Sequence, residues 1–160
     1  MNPIPDGAIP SHQPRCLGCG TENPGSMGLR LRAEDGRILG KVTFDQRHEG
    51  APGFAHGGAV ATVLDDTMGT VLLIIERPAV TANLNTDFRT PALLGRELDV
   101  EGWCEKIEGR KLHLAGRLLD GENVIAEASA LFIEVELDHF RKGGADLPDR
   151  WLTWTPECKT

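Results

Sequence analysis

The alternation of apolar and polar residues predicts most of the elements of this chain. Across residues 29–44, apolar residues occupy alternate positions on both sides of an EDG sequence, which is typical of a β-hairpin. The same period of two returns downstream, in the segments 80–89, 97–107, 111–119 and 123–135. The links EGR and DGEN have the composition of tight hairpin turns. We therefore expect two early strands and, later in the chain, an antiparallel meander of four.

The segment 58–76 interrupts that period. Its length, its content of Ala, Leu, Val and Met, and the lack of an internal proline favour a helix. Most of the helix circumference is apolar, and only Thr62, Asp66 and Thr70 form a narrow polar stripe, with Asp65 at its border. A sheet with one solvated face needs an apolar cover for the other. The predicted fold is α+β, with about six strands curled around one long buried helix.

Length and composition predict a single folded domain with two irregular ends. The chain has 160 residues, of which 40% are hydrophobic. Residues 1–28 are rich in proline and glycine and lack periodicity, so we expect an irregular lead-in before a domain at 29–137. In the tail, 138–160, we expect Trp151 and Trp154 to cover a surface of the domain or of a neighbouring subunit.

The charge of the chain narrows the choice of partners. A formal net charge of -7 disfavours nucleic acid and anionic membrane surfaces. The longest apolar stretch, 71–75, is far shorter than the roughly 18 to 20 residues of a membrane span, and no basic, apolar leader opens the chain. We expect a soluble cytoplasmic protein whose four cysteines are reduced.

The sequence His56-Gly57-Gly58 stands where a loop leads into the predicted helix. Glycines at this place let the backbone approach a ligand closely, and the unpaired N–H groups of a first helical turn attract negative charge. Such an arrangement is typical of an oxyanion hole. The pattern equally allows that the glycines only permit a sharp turn into a buried helix.

Asp65 and Asp66 are adjacent carboxylates in the most apolar segment of the chain. Carboxylates in such surroundings are costly unless paired, and they often lie at functional sites. Asp65 lies eight residues beyond Gly57, which is about 12 Å along one helix axis. Because reacting groups must lie within about 3 to 3.5 Å of their target, the two could serve one substrate only across a two-fold dimer. The alternative is that both aspartates only hydrogen-bond neighbouring threonines or loop backbone.

Four stretches of the sequence resemble the hotdog-fold thioesterases: HGGAVATVLDD, TANLNTDFRTPA, EGRK and EASALFIEV. The resemblance covers about residues 16–135 and is greatest to the branch of the phenylacetate-pathway (PaaI) type and the carboxyl-terminal modulator protein-like acyl-CoA thioesterases. It implies the same order of strands and helix, with the helix enclosed by the sheet. It also implies an acyl-CoA substrate, no cofactor, and a homodimer or homotetramer built as a dimer of dimers.

Carried over by position, the resemblance places the catalytic carboxylate at Asp65, nine residues after His56, and leaves Asp66 at a variable position. The oxyanion donor falls on the N–H of Gly57, and the hydroxyl that holds the water or the carboxylate falls on Thr81. Asp65 would act either as a general base on water or as a nucleophile on the acyl carbon. The sequence does not separate these two routes.

Three further positions complete the expected site. His56 belongs to the catalytic group, with a structural or substrate-orienting hydrogen bond favoured over acid–base work. Gly58 and Asn83 are assigned to substrate binding. Some relatives carry an asparagine six residues before the His of the HGG sequence, whereas Gly50 stands there in this chain. We therefore expect a differently polarised carbonyl site.

The resemblance leaves two functions open. The first is an acyl-CoA thioesterase that produces a free acid and coenzyme A, and the second is a regulatory or acyl-CoA-binding hotdog protein without turnover. The presence of Gly57, Asp65 and Thr81 together favours the enzyme. Release of free thiol from acyl-CoA esters would distinguish the two functions.

The sequence Cys16-x-x-Cys19-Gly resembles half of a zinc knuckle. A closed tetrahedral zinc site needs four ligands, and no second close pair of cysteines or histidines exists. The remaining candidate ligands are scattered along the chain: His12, His48, Cys104 and Cys158. The sequence alone therefore favours no metal site, and it disfavours a redox pair because no helix is expected after the CxxC.

Overall fold

In the computed structural model, which describes residues 7–152, one curled antiparallel sheet encloses one long helix. The elements in chain order are β1 (Gly7–Ile9), β2 (Arg30–Glu34), β3 (Arg37–Thr43), α1 (Gly57–Ile75), β4 (Ala79–Phe88), β5 (Glu97–Glu108), β6 (Lys111–Asp120), β7 (Asn123–Glu134), α2 (Asp138–Arg141) and α3 (Asp149–Leu152). The predicted α+β fold with a central helix is confirmed.

The sheet has seven strands, one more than the sequence predicts. The additional strand, β1, lies in the segment expected to be irregular and pairs with β2, with Gly7 opposite Ala33 and Ile9 opposite Leu31. A strand of three residues is too short for an alternating pattern to be recognised. The lead-in is therefore attached to the sheet.

The order of the strands differs from the expected meander. Across the sheet the order is β1-β2-β3-β5-β6-β7-β4. Strands β5, β6 and β7 are consecutive neighbours as predicted, but β4 lies at the edge beside β7, and β5 pairs with β3. Alternation along a strand determines which face is buried but does not specify its neighbour. Residues 89–96 carry the chain from β4 to β5, in place of a tight turn.

Helix α1 begins and ends within one residue of its predicted bounds. It packs against all five strands from β3 to β7, and its fully buried apolar side chains are Val63, Leu64, Met68 and Val71. Each such side chain contributes about 1.5–3 kcal/mol relative to an exposed position. By length and composition alone the helix could cross a membrane, a test that buried core helices also pass, and half of it is buried by the protein.

Two glycines allow α1 to lie directly on the sheet. Gly102 in β5 and Gly116 in β6 are paired across the two strands. A Cβ atom at Gly102 would lie 3.1 Å from the methyl group of Thr67, and one at Gly116 would lie 3.3 Å from Cγ of Met68. This close contact fixes the rotation of the helix immediately after its two aspartates.

The predicted tail begins with two short helices that pack onto the N-terminal segment. The ring of Trp151 in α3 contacts Phe140 of α2 edge-on, with 5.0 Å between centroids, and stacks on the ring of His12 at 6.2 Å. Trp151 thus covers part of the domain, whereas Trp154 and Cys158 lie outside the described residues.

Candidate active site

His56 is the N-cap residue of α1. Its backbone is extended, with φ −61° and ψ 139°, and its Nδ1 accepts a hydrogen bond of 2.8 Å from the N–H of Gly58. The bond satisfies one of the amide groups that have no partner within the helix, and it fixes the orientation of the imidazole ring. The N–H of Gly58, expected to bind substrate, is therefore already engaged.

The loop before α1 folds back on His56. The N–H of Gly50 donates to the carbonyl of Phe54 at 2.9 Å, and the N–H of Gly53 donates to the Glu49 carboxylate at 2.7 Å. A Cβ atom at Gly50 would lie only 2.8 Å from Cα of His56. An asparagine at this position would therefore displace the loop, which explains why the residue found in some relatives does not fit here.

The N–H of Gly57 is an unpaired donor at the positive end of α1. Within residues 7–152 no group accepts a hydrogen bond from it. The aligned peptide dipoles of a helix place about half a positive charge at this end. The ring of Phe88, 55% exposed at the end of β4, lies beside Gly57. The start of the helix thus presents one free amide donor next to an exposed aromatic ring.

Asp65 and Thr81 form a hydrogen-bonded pair between α1 and β4. The hydroxyl of Thr81 donates to Oδ1 of Asp65 at 2.9 Å. Burial raises the pKa of Asp65, the Thr81 hydrogen bond acts in the opposite direction, and negative charge on Cys16 adds to the increase. A half-buried carboxylate held by a hydroxyl is suited to act as a base or a nucleophile.

A β-bulge in β4 shapes this site. The register shifts between Thr81, which is opposite Phe132, and Asn83, which is opposite Leu131. Bulges re-aim side chains and are common beside active sites. Thr81 is exposed and donates to Asp65 of α1. Asn83 is exposed beyond the bulge, and in the described part of the chain no hydrogen bond joins it to Asp65.

A cavity of about 270 Å³ opens beside the Asp65–Thr81 pair. Most of its wall is apolar, from α1, β4, β7 and the two C-terminal helices: Leu72, Leu73, Val80, Phe132, Phe140 and Trp151. The wall also includes His12 and Asp66. Apolar walls with a few polar groups at one place are typical of small-molecule sites.

Gly57 and Asp65 do not meet within one chain. They lie on the same straight helix, eight residues apart, which corresponds to about 12 Å. Both lie on a face of α1 that the chain's own sheet leaves partly uncovered, together with Ala61, Thr62 and Gly69. The two candidate groups are therefore available to a second molecule but not to one substrate on a single chain.

Asp66 turns toward a different part of the molecule. Its Oδ1 lies 3.4 Å from Sγ of Cys16 and 3.5 Å from Nδ1 of His12, both in the N-terminal segment. The side chain is 11% exposed, and burial raises its pKa to about 6. Its carboxylate is thus separated from the Asp65–Thr81 pair although the two residues are adjacent in sequence.

Sequence reasoning missed two contributions to this region. Phe140 and Trp151 line the cavity, although the tail showed no periodicity by which its position could be inferred. His12, Cys16 and Cys19 converge on Asp66, and only the CxxC spacing indicated a possible cluster. Of the other ligand candidates, His48 bonds to the carbonyl of Ser26 instead.

Comparison with known proteins assigns the family. Residues 52–127, a range that contains all six candidate site residues, match the thioesterase superfamily. A Pseudomonas aeruginosa protein that is an esterase by name is 33% identical over 99 residues, which cover 60% of this chain and 74% of that protein. The crystal structure of a thioesterase superfamily protein aligns with a TM-score of 0.72 and 28% identity, covering 76% of this chain and 61% of the other. The chain belongs to the thioesterase superfamily.

Acyl-coenzyme A thioesterase THEM4 of Mus musculus is 43% identical over 90 residues. The matched part covers 55% of this chain and 39% of THEM4. The chain thus spans about two fifths of the length of the curated THEM4 relatives that it matches.

Proposed function

We propose that the protein is an acyl-CoA thioesterase, which hydrolyses the thioester to a carboxylic acid and coenzyme A. The observation that carries the proposal is the hydrogen-bonded pair of Asp65 and Thr81 at the wall of an apolar cavity. Membership of the thioesterase superfamily supports the reaction, and the likeness to THEM4, an acyl-CoA thioesterase by name, supports the substrate.

The pair supplies a carboxylate that either attacks the acyl carbon itself or activates the water that does so. Thr81 donates to Oδ1 of Asp65, and Oδ2 makes no hydrogen bond within residues 7–152. In the general-base route, Oδ2 takes a proton as the oxygen of water bonds to the acyl carbon, the C–S bond breaks, and the leaving thiolate receives that proton. In the nucleophilic route, Oδ2 bonds to the acyl carbon, the thiolate leaves, and water cleaves the mixed anhydride. Neither route requires a redox cofactor.

The developing charge on the carbonyl oxygen needs a donor, which Asp65 cannot provide. The free N–H of Gly57 at the positive end of α1 has the required character. Because it lies about 12 Å from Asp65 on the same helix, we include in the proposal a two-fold dimer that pairs Gly57 of one protomer with Asp65 of the other. The partly uncovered face of α1 that carries both residues supports this arrangement.

Release of free thiol from a panel of short, long and aromatic acyl-CoA esters tests the activity. We expect turnover of at least one ester by the wild-type protein and none above background by the Asp65→Asn variant. Binding of the esters without release of thiol by the wild-type protein would identify a non-catalytic acyl-CoA-binding protein and refute the proposal.

Mixed dimers test the shared site. Gly57→Pro lacks the amide donor and Asp65→Asn lacks the acid, so both sites are inactive in each homodimer. A mixed dimer regains one complete site, because the intact Gly57 of one chain then faces the intact Asp65 of the other. Random exchange between equal amounts should restore about a quarter of wild-type turnover, since about half the dimers are mixed and each has one of two sites. No recovery after verified exchange would refute the shared site.

A further inference from the structure

The N-terminal segment brings four potential metal ligands together at the middle of α1. Nδ1 of His12, Sγ of Cys16, Sγ of Cys19 and a carboxylate oxygen of Asp66 all lie within 4.8 Å of one another. Three of the residues come from the segment before β2, and the fourth comes from the helix. The fourth ligand that the sequence failed to supply for the CxxC pair is therefore the second of the two adjacent aspartates.

Three of the six distances between ligand atoms of the cluster fit a tetrahedral zinc ion. Zinc lies about 2.3 Å from thiolate sulfur and about 2.0 to 2.2 Å from imidazole nitrogen or carboxylate oxygen, so ligand atoms on a tetrahedron are separated by about 3.3 to 3.8 Å. Sγ of Cys19 lies 3.3 Å from Nδ1 of His12. Oδ1 of Asp66 lies 3.4 Å from Sγ of Cys16 and 3.5 Å from Nδ1 of His12. The donor set of two sulfurs, one nitrogen and one oxygen is one that zinc accepts.

The CLGCG turn is built around the sulfur of Cys16. The N–H of Gly18 donates to this sulfur at 3.3 Å, and the N–H of Gly20 closes the turn on the Cys16 carbonyl at 2.9 Å. Backbone donors to sulfur stabilise a thiolate and orient it, as expected around a metal ligand.

The carboxylate of Asp66 is enclosed by the same turn. Gly18 passes so close over it that a Cβ atom there would lie 2.4 Å from Oδ2. This oxygen is buried and accepts no hydrogen bond from any residue in the range 7–152. A buried carboxylate oxygen without a donor is costly unless positive charge lies nearby.

We propose that His12, Cys16, Cys19 and Asp66 form a tetrahedral binding site for a zinc ion. With four protein ligands the site would be closed, which makes it structural and not catalytic. The ion would fasten the segment before β2 to the centre of α1, one residue from Asp65. It would also fix His12, whose ring stacks on Trp151 at the cavity wall.

Metal content measured on the reduced full-length protein tests this site without reference to activity. After reconstitution with zinc and removal of excess ion, we expect about one zinc per chain in the wild-type protein by elemental analysis. Cobalt substituted for zinc should give the strong visible absorption of a tetrahedral site and charge-transfer bands from sulfur. The proposal would be overturned if the wild-type protein took up no zinc, or if it bound cobalt only as an octahedral ion.

Single substitutions identify the ligands. Loss of an outer-sphere contact already weakens metal binding by about 10- to 100-fold, so Cys16→Ser and Asp66→Asn should each weaken zinc binding by more than about 100-fold. The matched control is Cys104→Ser, which changes a half-buried free cysteine on β5 that is not part of the cluster. We expect it to retain wild-type zinc affinity, and circular dichroism checks that each variant is folded.

Two results would replace the zinc site by another explanation. Equal zinc affinity of Asp66→Asn and Cys104→Ser would show that the carboxylate is no ligand. A disulfide between Cys16 and Cys19 that persists in the presence of zinc and a mild reductant would identify a redox pair.

Removal of zinc by a chelator should lower the melting temperature of the wild-type protein and leave that of Cys16→Ser unchanged. The opposite pattern would overturn the proposal.

Discussion

The two adjacent carboxylates of α1 face different regions of the molecule. Asp65 faces β4 and the apolar cavity, where it accepts a hydrogen bond from Thr81. Asp66 faces the N-terminal segment, where one oxygen lies near a thiol and an imidazole and the other is buried without a donor. Consecutive residues of a helix point about 100° apart, which is sufficient to place the two groups in separate surroundings.

Burial does not distinguish the two aspartates, because it is the main cause that raises the pKa of both. Their partner atoms do distinguish them. A single hydroxyl leaves one oxygen of Asp65 available to a substrate, whereas the sulfur and nitrogen atoms around Asp66 are of the types that bind metal ions. The comparison shows that the same side chain in the same helix takes its role from the atoms around it. Turnover depends on a catalytic role of Asp65 and not on a metal-binding role of Asp66. Substitutions on the two sides of α1 should therefore differ in their effect on turnover, from the largest to the smallest.

The largest effect is expected from Asp65→Asn. We predict that turnover falls by about 10³- to 10⁴-fold, because an amide neither takes a proton nor attacks the acyl carbon. Zinc content should stay at the wild-type level, since Asp65 is not one of the four residues of the metal cluster. The control, Asp99→Asn, removes an exposed carboxylate of β5 that pairs with Lys41 and should change turnover by less than about twofold. Retention of turnover by Asp65→Asn would show that a group other than Asp65 is the base or nucleophile.

The next largest effect is expected at the other end of the proposed site. In Gly57→Pro the amide donor is removed, while a proline at the first helical position is tolerated and the extended backbone of His56 suits a residue before proline. We predict a loss of about 10²- to 10³-fold in turnover, the usual effect of one oxyanion donor. Gly57→Ala keeps the N–H and adds the same contact with Phe88, so it measures the steric effect alone. Equal losses in both variants would show that the N–H is not a donor to the substrate.

The fold was largely predictable from the sequence, since periodicity reports burial directly. The period of two located all six strands after the lead-in within about two residues, and the apolar segment located α1 within one. The pairing of the strands was harder to predict from the sequence. The position of β4 beside β7 was not predicted, because the pattern of a strand does not specify its neighbour.

The candidate site was predictable only in part. The pairing of Thr81 with Asp65 depends on a bulge in β4 and on the sheet order, and the resemblance indicated both residues where periodicity did not. The surroundings of Asp66 could not be predicted from the sequence, because they form only when a segment about fifty residues earlier in the chain folds onto the helix. Neither the spacing of Cys16 and Cys19 nor the position of Asp66 predicts that contact.

A smaller effect is expected when Asp65 remains but its partner is altered. Thr81→Val removes the hydroxyl that positions the carboxylate, and the loss of one hydrogen bond of about 1 to 2 kcal/mol corresponds to a 5- to 30-fold decrease in turnover. Thr81→Ser keeps the hydroxyl and should restore most of the rate. Rescue by serine separates a positioning role from a packing role. Equal rates of the valine and serine variants would show that the hydroxyl does not act in the reaction.

The smallest effect on turnover is expected from Gly18→Ala, which disturbs only the surroundings of Asp66. The added Cβ would lie 2.4 Å from Oδ2 and 2.6 Å from Cβ of Asp66, so the CLGCG turn must move. Overpacking of this kind costs about 1 to 3 kcal/mol, which lowers the melting temperature by several degrees and should weaken zinc binding. Turnover should change by less than about threefold, well below the effect of losing one functional hydrogen bond.

The matched control for this change is Gly25→Ala in the same segment. A Cβ atom there would meet only the Asn23 side chain, at 3.4 Å, so stability should change by no more than about 0.5 kcal/mol. Thermal unfolding, zinc content and thiol release are measured on both variants. A loss of turnover in Gly18→Ala as large as that in Thr81→Val would show that the two sides of α1 are mechanically coupled. In that case the N-terminal segment would belong to the active site, and its attachment to Asp66 would control the position of Asp65.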